Sequence, residues 1–198
     1  MNVPNKITLC RIILSVILLF IMIFPIDKIG ITFPEFQLAG KMIIDSKYLI
    51  CGVIFMIASL TDFLDGHLAR KYNWVTDMGK VLDAIADKVL VNGVLIILAV
   101  QGFIPAVVPV IIVSRDIIVD SIKMVAGRKS SAVGASKAGK VKTACMLTGI
   151  TLLFFYDLPF SLFNVHVSKV IIMIATILSI VSGIQYYVKN RKYLTDNM

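Results

Sequence analysis

Long apolar runs alternate with short polar patches along the 198-residue chain. A helix needs about 20 residues to cross a hydrocarbon core roughly 30 Å thick. On that basis the pattern predicts six spans: Leu9–Ile26, Tyr48–Ala69, Gly79–Val100, Phe103–Val125, Ala138–Tyr156 and Val167–Val188. The second run is the informative one. Its purely apolar part, Tyr48–Leu60, would reach only about 20 Å at 1.5 Å per residue, so its last turns must include Asp62 and Asp65. By the same reasoning the third helix starts near Gly79 and carries Asp83 and Asp87 in its first turns, while Asp77 falls in the connecting turn and reads as solvated. No internal repeat or low-complexity segment interrupts the pattern. The expectation is a single all-α membrane domain over residues 1–198, with six transmembrane helices and a short interfacial N-terminal helix around Arg11.

Composition strengthens this picture. Only 16% of the residues are charged and 58% are hydrophobic, with a mean hydropathy of +0.90, which excludes an ordinary soluble domain. The opening MNVPNKITLCRIILSVILLF is basic and then apolar, but no small-residue cleavage site follows, so it reads as a retained first helix rather than a signal peptide. Cys10, Cys51 and Cys145 are odd in number and set in apolar surroundings, which suggests neither a disulfide framework nor a zinc site.

The formal net charge is +8. Its Lys and Arg residues fall between the apolar runs, where membrane topology places them, so anionic lipid headgroups are a better match than nucleic acid. With six spans, the N-terminus, the 70–80 turn, the 126–142 loop and the C-terminal tail share one side. That side collects all of the 20 Lys and Arg except Lys28, Lys41, Lys47 and Lys169. The excess of positive charge puts both termini and the carboxylates on the cytoplasmic side.

Helical spacing then groups the carboxylates. Asp62, Asp65, Gly66 and Ala69 stand at i, i+3, i+4 and i+7, and Gly79, Asp83 and Asp87 at i, i+4 and i+8, which is one face in each case. A short turn makes the two helices antiparallel neighbours, so four carboxylates can converge near the cytoplasmic boundary. Like charges in a poorly solvated site disfavour one another. A cation is therefore expected among them, and oxygen ligands without His or Cys select Mg²⁺ or Mn²⁺ over zinc or copper. Four carboxylates suffice for two ions, the arrangement that clamps attacking and leaving oxygens in phosphoryl transfer. Gly66 and Gly79 remove side chains from the same faces and let a ligand approach the backbone. A lone Asp at a membrane boundary would read as a solvated helix end; four on matched faces read as a site.

These residues carry a resemblance. Asp62, Asp65, Gly66, Ala69, Arg70, Gly79, Asp83 and Asp87 match DxxDGxxAR followed after eight residues by GxxxDxxxD, the signature of the CDP-alcohol phosphatidyltransferase family. The start PNKITLCRIIL and the segment SKAGKVKT, residues 136–143, resemble the branch of that family whose acceptor is glycerol 3-phosphate. The residue after Asp83, usually Pro in that branch, is Ala84 here. The resemblance implies transfer of a phosphatidyl group from CDP-diacylglycerol to an alcohol, release of CMP, two Mg²⁺ or Mn²⁺ ions, and a homodimer; the absence of a transit peptide favours a bacterial cell membrane. It further implies Asp62, Asp65, Asp83 and Asp87 as metal ligands, Asp87 as the base for the attacking hydroxyl, and Asn5, Asp62, Gly66, Arg70, Thr76 and Gly79 around CDP.

Among the family's acceptors, one carrying a phosphate needs cations beside the site. Arg115, within an apolar helix, and Lys137, Lys140 and Lys142, at the mouth of the fifth, are the candidates for an acceptor-phosphate pocket. Two blander readings stand beside this: Arg115 pairs with Asp116 or Asp120, although adjacent residues point to different helix sides, and the lysines only mark the cytoplasmic side. His67 and His166 read as surface residues, and Trp74, Tyr186 and Tyr187 as an interfacial belt. Two alternatives remain: the same chemistry with inositol phosphate, serine or phosphatidylglycerol as acceptor, and a divalent-cation transporter. Carboxylates near one face, with no acidic partners in the other half of the bilayer, count against transport.

Overall fold

A computed structural model describes residues 3–25, 34–38, 42–72, 76–129, 137–158, 160–163 and 165–195. Six long helices carry the fold, in the order α1 Val3–Ile23, α2 Ser46–Lys71, α3 Asp77–Val100, α4 Val107–Lys129, α5 Lys137–Phe154 and α6 Val167–Thr195. The all-α expectation holds for these. A small addition is an antiparallel hairpin between α1 and α2, formed by β1 Glu35–Leu38 and β2 Met42–Asp45 with Glu35 opposite Asp45. Strands of four residues are too short to leave a periodic signal in sequence.

Several boundaries move, each for a local reason. α1 begins at Val3 and runs unbroken to Ile23, so the described residues contain no separate interfacial helix around Arg11. Pro4 sits in the first turn, where its missing N–H costs nothing, and Pro25 disfavours helix in the residue before it. α3 begins at Asp77, which is therefore helical rather than part of the turn. Thr76 is its N-cap, extended at φ −114° and ψ 152°, and Thr76 Oγ1 accepts from Gly79 N. At the other end of α3, Gly102 takes φ +81° while its N–H reaches Ala99 O and Phe103 N reaches Leu98 O, a glycine-terminated helix end. With Pro105 following, α4 starts at Val107 rather than Phe103.

α1 packs against α2 and α3, and α6 against α4 and α5; α2–α5 and α3–α4 contacts join the two groups. Leu18, Phe55, Leu95, Ile112, Met146, Ile150, Phe154 and Ile172 interlock in the middle. The outside is apolar as well. Ile13, Val16 and Phe20 on α1, Val110 and Ile117 on α4, and Ile177 and Ile184 on α6 are all more than two-fifths exposed, the reverse of a soluble surface. By length and composition, Asn5–Ile23 and Val167–Arg191 suit a membrane crossing. The other helices carry more charge along their length, so the six-span arrangement is not established by composition alone.

The two ends of the bundle differ. At one, Gln101 Nε2 donates to Met22 O at 3.1 Å, Asp45 N donates to Tyr156 Oη at 3.0 Å, and the buried Asp157 accepts from Ser168 N and Oγ at 2.7 and 2.8 Å, capping α6. His166 stands exposed beside it. At the opposite end lie the start of α1, the α2–α3 turn and the start of α5, together with nearly all the residues singled out from sequence.

Candidate functional site

The site is assembled first by the cap of α3. Thr76 turns the chain into the helix, and Asn5 Nδ2 from α1 donates to Thr76 Oγ1 at 3.3 Å. A Cβ on Gly79 would lie 2.6 Å from Asn5 Oδ1 and 2.9 Å from Thr76 Oγ1, so only glycine permits this approach. Three residues expected around a nucleotide, distant in sequence, thus meet at one helix N-terminus, where backbone N–H groups and the helix dipole favour negative charge.

Nearly two turns along α1 from Asn5, the buried Arg11 reaches between α2 and α3. Its Nη1 pairs with Asp62 Oδ1 and, at 3.1 Å, with Asp83 Oδ1. The guanidinium is fully buried, whereas the two carboxylates are 41% and 54% exposed, so each is gripped from the inside and open on the outside. Arg11 is a residue that sequence reasoning placed at the interface and gave no role. The available signal was its cost: a guanidinium in an apolar helix is tolerated only where it faces a partner. Asp87 lies one turn beyond Asp83 and is exposed. Gly66 is half-buried, one turn past Asp62 on α2. Among the described residues no three carboxylate, Cys or His side chains gather closely enough to hold an ion by themselves.

The third part of the site lies where α4, α5 and α6 meet. Arg115 donates from Nη1 to Asp116 Oδ1 at 3.0 Å, from Nη2 to Ser182 Oγ at 2.8 Å and from Nε to Ser179 O at 3.2 Å. Gly183 makes room for it, since a Cβ there would lie 3.1 Å from Arg115 Cγ. The pairing with Asp116 shows that a long Arg side chain can bend to an adjacent carboxylate although the two Cβ atoms diverge. Lys142 Nζ donates to the same Asp116 oxygen at 3.0 Å. One turn on, Asp120 pairs with Lys88 and, at 3.5 Å, with Lys123, whose Nζ lies 5.6 Å from the centre of the Tyr186 ring. These groups and Asp87 line one cavity of about 180 Å³. That is below the roughly 300 Å³ at which pockets for drug-sized ligands begin, a size for a small polar molecule.

The structure therefore brings together Asn5, Thr76 and Gly79, joins Asp62 to Asp83 through Arg11, and sets Asp87, Arg115 and Lys142 around one cavity. Lys140 is exposed and does not line that cavity. Tyr186 departs from the belt expectation: it is buried and lines the cavity, while Tyr187 is exposed. The side chains of Asp65, His67, Arg70 and Lys137, and residue Trp74, lie outside the described part of the structure. Asp116, Asp120, Lys88 and Lys123 join the site without having been expected there: Asp116 and Asp120 also pair with Lys142 and Lys88 on other helices, and Lys123 meets Tyr186 on α6.

Known proteins share this layout in sequence. Residues 1–181 match the model of the CDP-alcohol phosphatidyltransferase family. A Bacillus subtilis protein named CDP-diacylglycerol–glycerol-3-phosphate 3-phosphatidyltransferase is 37% identical over 189 residues, covering 96% of this chain and 95% of its own. Proteins of the same name from Haemophilus influenzae, 33% identical over 100% of this chain and 97% of theirs, and from Rickettsia felis, 31% identical over 97% of each, are similar throughout. With a signature that spans α2 and α3 and a match over nearly the full length, the chain belongs to the CDP-alcohol phosphatidyltransferase family, and it is a transferase.

Proposed function

We propose that this chain is an integral membrane enzyme with six spans that transfers the phosphatidyl group of CDP-diacylglycerol to glycerol 3-phosphate, giving phosphatidylglycerophosphate and CMP. The observation that carries the acceptor is the cavity that Asp87, Arg115 and Lys142 line together. A phosphate between those two cations would hold a short alcohol with its hydroxyl at the carboxylate. The names of the relatives favour the same acceptor. Lys88, Lys123 and the N-terminal turn of α5 at Gly139 add positive potential to the cavity wall, in place of Lys140.

In this reading Asp62, Asp65, Asp83 and Asp87 would hold two divalent ions, Mg²⁺ or Mn²⁺. The outward-facing oxygens of Asp62 and Asp83, already drawn onto one cation by Arg11, suit hard cations. When bound, such ions polarise the pyrophosphate and stabilise the departing CMP. The remaining work belongs to the chain. Asn5, Asp62, Gly66, Arg70, Thr76 and Gly79 bind CDP at the start of α3. Arg115, Lys142 and Lys137 seat the acceptor phosphate. Asp87 takes the proton as the acceptor oxygen bonds to the phosphorus that bears the lipid, and the bond from that phosphorus to the CMP oxygen breaks. The site faces the cytoplasm, as the excess of Lys and Arg on that side implies, and the enzyme works as a homodimer, as the family resemblance implies.

CMP release by the purified protein in detergent tests this reading, with CDP-diacylglycerol, Mg²⁺ and in turn glycerol 3-phosphate, inositol phosphate, serine or no acceptor. Chelator-sensitive release with glycerol 3-phosphate alone is the expected result. Release with another acceptor instead would keep the carboxylate site and discard the cavity as a glycerol 3-phosphate pocket.

A further inference from the structure

We infer that Asp116 is the positioning residue of the cation-lined cavity, and that it sets acceptor affinity by holding the Lys142 ammonium in the wall. This rests on the acceptor reading above. One oxygen of Asp116 accepts from Arg115 Nη1 and from Lys142 Nζ, each at 3.0 Å. The two cations depend on it unequally. Arg115 is also held by Ser179 O and Ser182 Oγ on α6, so its plane stays fixed without Asp116. Lys142 is only 8% exposed, and among the described residues Asp116 is the carboxylate that pairs with it.

A buried ammonium that loses the carboxylate oxygen it donates to swings to another acceptor or leaves for water. Removing the charge at 116 therefore takes Lys142 Nζ out of its place in the cavity wall, although residue 142 itself is unchanged. Asp120 supplies an internal contrast. It stands one turn further along α4 and brackets Lys88 and Lys123 in the same pattern, but those three side chains are 36–46% exposed. Water can replace an exposed carboxylate partner at little cost. The same residue type, four positions apart on one wall, is thus positional at 116 and nearly dispensable at 120.

Steady-state kinetics on the full chain in detergent, with CDP-diacylglycerol, Mg²⁺ and varied glycerol 3-phosphate, test this. Asp116→Asn should raise the acceptor KM about tenfold, the scale of a lost hydrogen bond to a charged group, with kcat and the CDP-diacylglycerol KM within about threefold. Asp120→Asn should raise the acceptor KM only about twofold. Lys142→Met should match Asp116→Asn, and the double variant should be no worse than Lys142→Met alone, because both remove one cation. Acceptor KM values that multiply in the double variant, or an Asp116→Asn value within twofold of wild type, overturn the inference. If Lys142→Met itself leaves the acceptor KM unchanged, the acceptor reading falls and takes the inference with it. Should Asp116→Asn not fold, Asp116→Glu decides: the charge moved by one methylene should raise only the acceptor KM, by about threefold, and a wild-type value would overturn the proposal.

Discussion

The two ends of the site are inversions of each other. Near the α2–α3 turn, one buried guanidinium, Arg11, holds two carboxylates, Asp62 and Asp83; between α4 and α5, one carboxylate, Asp116, holds two cations, Arg115 and Lys142. In each triplet a central charge of one sign fixes two of the other and leaves an excess of one. The first excess is negative and suits a metal ion, while the second is positive and suits a phosphate. In the first triplet the two carboxylates spare the buried Arg11 an uncompensated charge, and in the second Asp116 spares the buried Lys142 one; either would cost several kcal/mol. Binding chemistry and folding stability therefore draw on the same three side chains at each end. Asp87 stands at the junction, on α3 one turn past Asp83 and on the wall of the cavity that holds the other triplet.

The largest effect is expected at that junction. Asp87→Asn should lower kcat about 10³-fold, the usual scale for losing a general base, with an acceptor KM that changes little; a variant whose only defect is in KM would make Asp87 part of the anion pocket and erase the distinction between the ends. Next comes the cationic end, where Arg115→Ala should raise the acceptor KM about thirtyfold while the CDP-diacylglycerol KM stays within about threefold. Equal damage to both substrates would show that Arg115 only braces α4 on α6. The smallest effect sharpens the anionic end. Arg11→Met removes the cation that Asp62 and Asp83 share, so Mg²⁺ at fixed ionic strength should raise its Tm about 3 °C more than it raises the wild-type Tm. A smaller Mg²⁺ response than wild type would mean that Arg11 is needed to shape the ion site rather than merely to neutralise it.

Much of this molecule is legible in its residue pattern. The six apolar runs locate six helices to within a few residues at most ends, because burial of an apolar helix leaves a long periodic signal. Ends that differ do so at Pro4, Pro25, Pro105 and the Thr76 cap, where one local group outweighs periodicity, and at the tails of α4 and α6, which continue as polar helix past Val125 and Val188 to Lys129 and Thr195. The spacing of Asp62, Asp83, Asp87 and Gly79 marks a site from face arithmetic alone. Arg11 could not be given a role that way, since it acts on residues 51 and 72 positions distant, and of Asp116 only the pairing with adjacent Arg115 was legible, not that with Lys142 26 positions on. Tyr186 and Tyr187 make the same point in miniature: neighbours of one type on one helix face opposite ways, one to the cavity and one outward.

The sequence by itself determined the helices, the family and the carboxylate positions, because these depend on residue type at fixed spacing within one or two helices. Tertiary structure alone decided which charge neutralises which. Ion pairing falls off within a few ångströms, and only the packing of α1 on α2 and α3, and of α4 beside α5 and α6, brings Arg11 to two carboxylates and Asp116 to two cations.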